Sequence, residues 1–357
     1  MNNLVKPKLT GLIKNLQNGD LTLRLDVIVT LSQMGKNAKN AVPALIAALS
    51  DSQLRYHIII ALGNIGIAAN SAIPALIMTL QDVDEVIRAI TIEALCKIGL
   101  EVDLIPSLVI TLHDDSARVR ANAAFAIGCL GEKAKLAIIP LVEILEDKDD
   151  WVRGNAVEAL GKIGKDAEMA IPYLITALSD NYSGIRAKAT LSLAYVAPEN
   201  QAIPLLINMF GDSDARVRSA AADALGVFVN EVASVVIILK TGLTDKNIYV
   251  QMNVAKVLMK AGVEVENCLN IFVAALKQSD AIVRVTASLN IGVIAASIQD
   301  VINNFCLMDI EKIISVFEEV NLLISQVNLS CTKSVITSIN SALQILNKSK
   351  TALKNRY

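Results

Sequence analysis

Three residue types recur along this chain with one spacing, and that spacing constrains the fold more than any other feature. The arginines, here called the ladder arginines, lie 31 to 33 residues apart, with a final gap of 66: Arg24, Arg55, Arg88, Arg120, Arg153, Arg186, Arg218 and Arg284. Aspartates and prolines follow the same period: Asp51, Asp82, Asp114, Asp147, Asp180, Asp212 and Asp245, and Pro43, Pro74, Pro106, Pro140, Pro172 and Pro204. Gln251 occupies the position that the arginines skip. Such a period is typical of proteins built from stacked repeats, each of which contacts only its neighbours.

One repeat predicts two helices of about ten residues joined by a short turn. In residues 172–197, Pro172 begins the first helix, where its missing N–H has no intrahelical partner to lose, and Asp180 marks the turn. In other repeats the second helix ends in a glycine pair such as Gly63 and Gly66, and the second glycine predicts a left-handed helix cap. Helices this short are marginal alone, so the repeats must stack to be stable.

The repeat sequence resembles HEAT repeats. The motif stands here as IPALIMTLQD, VRANAAFAIG and VRGNAVEALGKIG, and it is most similar to the short bacterial HEAT-like repeats of the phycobilisome lyase type. The resemblance covers roughly residues 7–295. It implies an array whose second helices line a concave surface. Because such repeats serve many unrelated proteins, the resemblance predicts the fold and leaves the function to the surface residues.

We therefore predict an all-α fold, an α-solenoid (superhelix) of about nine HEAT-like helical hairpins with a C-terminal helical cap. The array occupies residues 1–299, and the cap with its basic tail, which we expect to fray, occupies residues 300–357. The predicted repeats are 7–35, 43–66, 74–99, 106–131, 140–164, 172–197, 204–228, 232–262 and 266–295.

The ladder arginines have two interpretations. They could form a row that binds anions, or each could bond turn carbonyls and the ladder aspartates of its own or the next repeat. Repetition in nearly every repeat favours the structural interpretation, because a joint is copied whereas a binding site distinguishes some repeats from others.

The candidate binding surface consists of positions +2, +5 and +9 relative to each ladder arginine, which share one side of the second helix. These positions vary between repeats, as a binding surface beside a copied scaffold would. Ile90 and Leu191, two of them, are equally compatible with the core. The predicted partner-binding residues are Asn122, Phe125, Asn155, Glu158, Lys162, Lys188 and Tyr195. Trp151, the only tryptophan, is either a binding anchor or a cover for the junction to the next repeat.

Other classes of site lack support in the sequence. His57 and His113 lie in different repeats without clustered ligands, and no catalytic motif occurs, so we expect no catalytic residue, metal or cofactor. The net charge of −2 gives no field to attract nucleic acid. The five cysteines contain no C-x-x-C motif. We expect a cytoplasmic monomer without a membrane span.

The leading functional hypothesis is a non-catalytic scaffold or adaptor that binds another protein on its concave face. The alternative, implied by the resemblance, is a phycobilisome-lyase-like protein that holds a bilin and assists its attachment to or removal from an antenna subunit. Whether the chain is an enzyme stays open, although no residue set for that chemistry is evident. Nucleic-acid binding, as in the HEAT-fold DNA glycosylases, is the third and weakest hypothesis, because it would require clustered basic residues.

Overall fold

The computed structural model describes residues 9–229, 232–302, 305, 307–325 and 332–354, and every regular element within them is a helix. The chain forms two compact units, Met1–Ala177 and Leu178–Tyr357, called unit one and unit two. Unit one contains α1 (Leu9–Asn18), α2 (Leu21–Met34), α3 (Val42–Ala48), α4 (Ser52–Ile65), α5 (Ile73–Thr79), α6 (Glu85–Ile98), α7 (Ile105–Thr111), α8 (Ala117–Leu130), α9 (Ile138–Glu143), α10 (Asp150–Ile163) and α11 (Ile171–Ala177). Unit two contains α12 (Ser183–Val196), α13 (Glu199–Met209), α14 (Ala215–Leu225), α15 (Ala233–Thr241), α16 (Ile248–Lys260), α17 (Val265–Leu276), α18 (Ala281–Ala296), α19 (Ile298–Val301), α20 (Leu307–Ser325) and α21 (Thr332–Lys354).

The predicted alternation of two helices per repeat is confirmed, but their lengths differ from the prediction. First helices such as α5 have 7 residues, and second helices such as α6 have 14. The proline lies within the first two residues of α3, α5 and α7, as predicted. A turn aspartate caps several of the second helices: the Asp84 carboxylate accepts the N–H of Val86, and the Asp149 carboxylate accepts that of Trp151.

The second glycine of each pair has the predicted positive φ but not the predicted left-handed helical conformation. Gly66 has φ 69° and ψ −145°, and Gly131 and Gly164 have similar angles. This region is open essentially to glycine alone, whereas a left-handed cap would need ψ near +47°. The difference arises because each such glycine is also the first residue of a 3₁₀ segment that leads to the next first helix. After α4 this segment is Gly66–Ala72.

The core of unit one lies where successive second helices stack on one another. Leu54, Ile58 and Leu62 of α4 are fully buried. A Cβ added at Gly63 would lie 3.1 Å from the Cα of Ala94 in the next second helix. The missing side chain at Gly63 lets these two helices approach closely.

One apolar stretch of the described residues, Ser52–Thr79, is long enough to cross a membrane by length and composition. It is not one continuous helix, because α4 ends at Ile65 and the 3₁₀ segment Gly66–Ala72 separates it from α5. Buried side chains such as Leu54 and Leu76 belong to the core of their repeats. Repeat stacking therefore accounts for its high hydropathy.

Repeat seven in unit two departs from the predicted pattern. Its first helix, α13, begins at Glu199, five residues before the predicted start, and Pro204 lies inside it. The preceding second helix ends at Val196 without a glycine cap, and Pro198 then provides the N-cap of α13. The chain therefore enters α13 directly, without a seven-residue 3₁₀ segment like Gly66–Ala72.

The C-terminal cap has the arrangement of a repeat with longer helices. α20 packs along the first helix α17, α21 packs along the second helix α18, and the two cap helices pack on each other. The predicted boundary at residue 300 falls within α19. The expectation of a frayed basic tail is wrong as far as Lys354, because Lys350 and Lys354 lie in α21 with their Nζ atoms 3.3 and 3.1 Å from Glu311 Oε1. Residues 355–357 lie outside the described residues.

Candidate functional site

Most ladder arginines join the turn of their own repeat to the turn of the next. Arg120 Nη1 donates to the carbonyl oxygen of Asp114 at 2.7 Å, while its Nε and Nη2 donate to the two carboxylate oxygens of Asp147 at 2.7 and 2.8 Å. Ion pairs of this kind join Arg24–Asp51, Arg55–Asp82 and Arg88–Asp114 in unit one, and Arg186–Asp212 and Arg218–Asp245 in unit two. Arg153 also donates to the carbonyl of its own turn, at Asp147.

Two ladder aspartates of unit one, Asp114 and Asp147, are held in the charged state. Burial raises the pKa of Asp147, but hydrogen bonds from Arg120 and from the N–H of Asp149 outweigh it and lower the pKa below its usual value. The pKa of Asp114 is lowered in the same way by Arg88 and by the N–H of Ser116. Each carboxylate thus orders its own turn and accepts the arginine of the preceding repeat. These contacts are the ones that a structural role requires, and the effect on stability stays a prediction.

The predicted binding residues in unit one are placed at different depths. Phe125 in α8 is exposed, with 48% of its surface accessible, and Lys162 Nζ of the next second helix lies 5.7 Å from its ring centroid. The same Nζ lies 2.7 Å from Glu158 Oε1. The structure therefore brings Phe125, Glu158 and Lys162 together on one surface. Ile90, at the equivalent of a +2 position, is buried and belongs to the core.

Asn122 and Asn155 have a packing role that sequence analysis missed. Asn122 Nδ2 donates to the carbonyl oxygen of Ala89 at 3.2 Å, and Asn155 Nδ2 donates to that of Ala121 at 3.0 Å, in each case in the preceding second helix. In unit two, Asn253 Nδ2 donates to Ser219 O at 2.8 Å. The sequence contains a sign of this packing role, because asparagine recurs at +2 in three repeats, as expected of a residue that joins neighbouring repeats.

The exposed surface extends one helical turn further than predicted, to position −2. Arg118, at −2 in α8, lies with its Nη2 3.1 Å from Oε1 of Glu93, at +5 of the preceding repeat. Trp151 occupies −2 in α10, and 72% of its surface is accessible. Because the Trp151 ring is so exposed, it covers little of the junction to the next repeat, and this favours its interpretation as a binding anchor. We call positions −2, +2, +5 and +9 the second-helix stripe.

In unit two, the predicted binding residues Lys188 and Tyr195 both lie on α12. Tyr195 is exposed, with 55% of its surface accessible, and Lys188 is half-buried. Leu191, between them on the stripe, is also half-buried. The charged stripe residues of later repeats form a pair, Lys256 Nζ to Asp223 Oδ1 at 2.9 Å.

Sites of other kinds are poorly supported. Among the described residues, no group of three His, Cys, Asp or Glu side chains could hold a metal ion. His113 Nε2 lies 3.5 Å from Glu143 Oε2, and both side chains are exposed. Burial raises the pKa of the Cys96 thiol to about 12, so it is not a reactive nucleophile. An open cleft of about 340 Å³ lies beside Arg88 and Asp114, but its charged wall is the ladder pair itself.

Comparisons with known proteins identify the repeat and the fold. The model of the family described as HEAT repeats matches residues 9–96, 105–194, 171–240 and 203–292. No curated protein matches the sequence significantly. Among solved structures, the chain is similar to an engineered protein, with 20% identity and a TM-score of 0.51 over 95% of this chain and 98% of that one. It is also similar to yeast importin-β (Kap95p), with 13% identity and a TM-score of 0.61 over 95% of this chain and 52% of that one. The chain thus spans about half the length of importin-β, and these likenesses show the fold alone.

Proposed function

Because the chain belongs to the HEAT-repeat family, we propose that it is a non-catalytic scaffold that binds another protein along the second-helix stripe. The observation that carries this proposal is the exposure of Phe125 and Trp151 on neighbouring second helices of unit one. Stacking of the repeats does not require aromatic rings at these positions, since the equivalent positions of other repeats hold Glu93 and Gln53. Exposed aromatic side chains at a shared surface are the usual anchors of protein interfaces.

The charges around these rings suit an apolar anchor with a polar rim. Arg118 pairs with Glu93, and Lys162 pairs with Glu158, so the stripe offers few unpaired ions that a partner would have to neutralise. Binding energy would therefore come chiefly from burying the aromatic rings, while the paired charges at the rim would set orientation. We expect the affinity to depend only weakly on salt.

Proteins of the same fold support a protein partner. Yeast importin-β forms a complex with Nup1, and its binding induces the switch loops of RanGDP to adopt the GTP-bound conformation. At 12 to 13% identity these complexes identify no partner for this chain, but they make protein binding a natural use of such an array.

A double substitution tests the proposal. The partner is first identified by cross-linking and mass spectrometry of the tagged chain, and its Kd is then measured by calorimetry. Phe125→Ala with Trp151→Ala should cost well over 1 kcal/mol of affinity, or at least about fivefold in Kd, because both rings would leave the interface. Ile237→Ala, on an exposed side chain of the first helix α15, is the matched control and should bind normally. A double variant that stays folded and binds like the wild type would exclude the stripe.

The alternative function, holding a bilin for its attachment to or removal from an antenna subunit, rests on the sequence resemblance to phycobilisome-lyase repeats. Co-expression with a bilin source tests it: a visible absorption band that stays with the purified chain would support it. We also propose a cytoplasmic location. The unpaired thiols of Cys96, Cys129 and Cys268 are consistent with a reducing compartment.

A further inference from the structure

We infer that Cys96 and Cys129 are a redox-active pair, which a peroxide oxidises to a disulfide between the second helices of repeats three and four. Counted from its ladder arginine, Cys96 lies at +8 in α6 and Cys129 lies at +9 in α8, and both are free thiols in the structure. The two helices pack on each other. The inference concerns the chemistry of these two side chains, so it does not depend on the proposed function.

The equivalent positions contact each other at the two preceding joints. Between repeats one and two, Asn64 Nδ2, at +9, donates to Ser32 Oγ, at +8, at 2.9 Å. Between repeats two and three, a Cβ added at Gly63, at +8, would lie 3.5 Å from Cδ of Lys97, at +9. The +8 side chain of one repeat therefore meets the +9 side chain of the next. At the joint between repeats three and four, both of these positions hold cysteine.

The joint between repeats three and four has the same helix register as its neighbours. The +2 amide of Asn122 donates to the +1 carbonyl of the preceding second helix, as does that of Asn155 at the following joint. That following joint also has the close contact seen between repeats two and three, because a Cβ added at Gly63 or at Gly128 would lie 3.1 Å from the Cα of the +6 alanine in the next second helix. Since the register fixes which side chains meet across two packed helices, the two thiols meet as the +8 and +9 side chains of the earlier joints do.

Stacking of the repeats does not require sulfur at either position. Elsewhere in unit one, position +8 holds serine or glycine, and position +9 holds glutamine, asparagine or lysine. The third cysteine that the structure describes, Cys268, is buried in the first helix α17 and has no part in this arrangement. Two cysteines at one pair of contacting positions indicate a thiol function beyond packing.

The two thiols differ in accessibility, which sets the order of the reaction steps. Cys129 is exposed, whereas Cys96 is half-buried. Burial, followed by the charge of Cys129, raises the pKa of the Cys96 thiol to about 12, so Cys96 stays protonated and does not attack a peroxide in solution. The influence of the Cys129 charge agrees with the closeness of the two sulfur atoms. A peroxide therefore reacts first with Cys129, and Cys96 reacts with the product because it is held beside it.

The oxidation consumes one hydrogen peroxide and releases two water molecules. In the first step the Cys129 sulfur attacks one oxygen, the O–O bond breaks, and the thiol proton leaves with the other oxygen as water, so that Cys129 becomes a sulfenic acid. In the second step the Cys96 sulfur attacks the Cys129 sulfur, the S–O bond breaks, and the hydroxyl group leaves with the Cys96 proton as water. The two electrons that the thiols lose reduce the peroxide. A thiol such as glutathione reverses the reaction by exchange.

Peroxide treatment of the full chain, followed by peptide mapping, tests the inference. Trypsin places Cys96 in peptide 89–97 and Cys129 in peptide 121–133, so a link between them is recognised directly. The oxidised wild type should yield this linked peptide from a single chain, and dithiothreitol should release both peptides. The oxidised chain should also melt at a higher temperature than the reduced chain, because the disulfide restricts a loop of about 33 residues in the unfolded state.

Serine variants separate the roles of the two thiols. Cys96→Ser should abolish the linked peptide and leave Cys129 as a sulfenic acid, which dimedone traps. Cys129→Ser should leave Cys96 as a free thiol after the same treatment. Ser32→Cys with Asn64→Cys, in a chain in which serine replaces both native thiols, is the matched control. It should form the equivalent disulfide, because these two side chains are in contact.

Three results would overturn the inference. The first is a wild type in which both thiols survive oxidation. The second is a Cys129 that is oxidised to a sulfinic acid beside an intact Cys96 thiol. The third is a disulfide that joins Cys129 to a second chain. Both serine variants should keep the helicity of the wild type in circular dichroism, because polar side chains occupy +8 in repeat one and +9 in repeats one to three.

Discussion

The joint between repeats three and four and the joint between repeats eight and nine hold similar helices together by different means. The first contains the ion pair between Arg88 and Asp114, with two short hydrogen bonds at 2.6 and 2.7 Å. At the second, Gln251 stands at the arginine position and Gln278 at the aspartate position. No hydrogen bond joins these two side chains, both of which the structure describes. Gln251 keeps only the bond to its own turn, at the carbonyl of Asp245.

The two joints also differ in the volume of their buried side chains. The second helix of repeat four buries four alanines, Ala121, Ala123, Ala124 and Ala126, beside Val119, Ile127 and Leu130, whereas that of repeat eight buries one alanine beside Val250, Met252, Val254, Val257, Leu258 and Met259. Larger apolar side chains remove more surface from water and so contribute more hydrophobic stabilisation. We therefore predict that the bulkier buried side chains of α16 compensate for the missing ion pair at the second joint.

Acid should produce the largest difference between the two joints. Since the pKa values of Asp114 and Asp147 are lowered in the folded state, their pairs stabilise the fold fully above pH about 4 and lose that contribution as the pH falls through the lowered values. Amide hydrogen exchange, corrected for intrinsic rates, should therefore show α8 losing more protection than α17 between pH 7 and pH 3. Glu264, whose pKa is lowered by Lys240, is a titrating group close to α17 in the chain, and water screens this partly exposed pair. Equal losses in α8 and α17 would contradict the comparison.

Removing one guanidinium should have a smaller effect. Arg120→Ala leaves the half-buried carboxylate of Asp147 and the carbonyl of Asp114 without their donor, and it should lower the free energy of unfolding by about 1–3 kcal/mol. Arg284→Ala is the matched control, because Arg284 donates only to the carbonyls of Gln278 and Ser279. Its cost in urea denaturation should be below about 1 kcal/mol. If Arg120→Ala leaves stability unchanged but abolishes partner binding, the ladder is a binding row and not a joint.

Installing the missing pair should have the smallest effect. Gln251→Arg together with Gln278→Asp should recover about 0.2–1 kcal/mol of coupling in a double-mutant cycle, as partly exposed ion pairs usually do. Either substitution alone should raise the free energy of unfolding by less than the double substitution, since it adds a charge without its partner. A coupling near zero would mean that the backbone of this joint no longer holds the ladder geometry.

The sequence predicted most of the fold because its signals were local and repeated. The aspartates and all the ladder prolines but Pro204 mark a turn or a helix start through their own backbone chemistry, and those elements are confirmed. The start of α13 at Glu199 was missed because it depends on how the preceding helix ends, without a glycine, and not on Pro204. The helical tail was missed because the ion pairs of Lys350 and Lys354 with Glu311 reach across 39 and 43 residues.

The candidate site was predicted less completely, because helical spacing gives the side of a helix but not the depth of a residue. Phe125 at +5 and Tyr195 at +9 are exposed as expected, whereas Ile90, at +2 on the same side of its helix, is buried. The roles of Asn122 and Asn155 depend on carbonyl groups in another repeat, which no spacing along one helix can show. Whether these residues contact a partner stays a prediction.

The ladder also governs how arrays of this kind can change in length. Each ion pair joins residues 26 or 27 positions apart across a repeat boundary. A gene duplication or deletion of one complete period would bring an equivalent aspartate to every arginine, so that each charge keeps a counterpart. A change of half a period would leave a guanidinium and a carboxylate buried apart, at a cost of several kcal/mol. Copy number can therefore drift in steps of about 33 residues, while selection removes intermediate lengths.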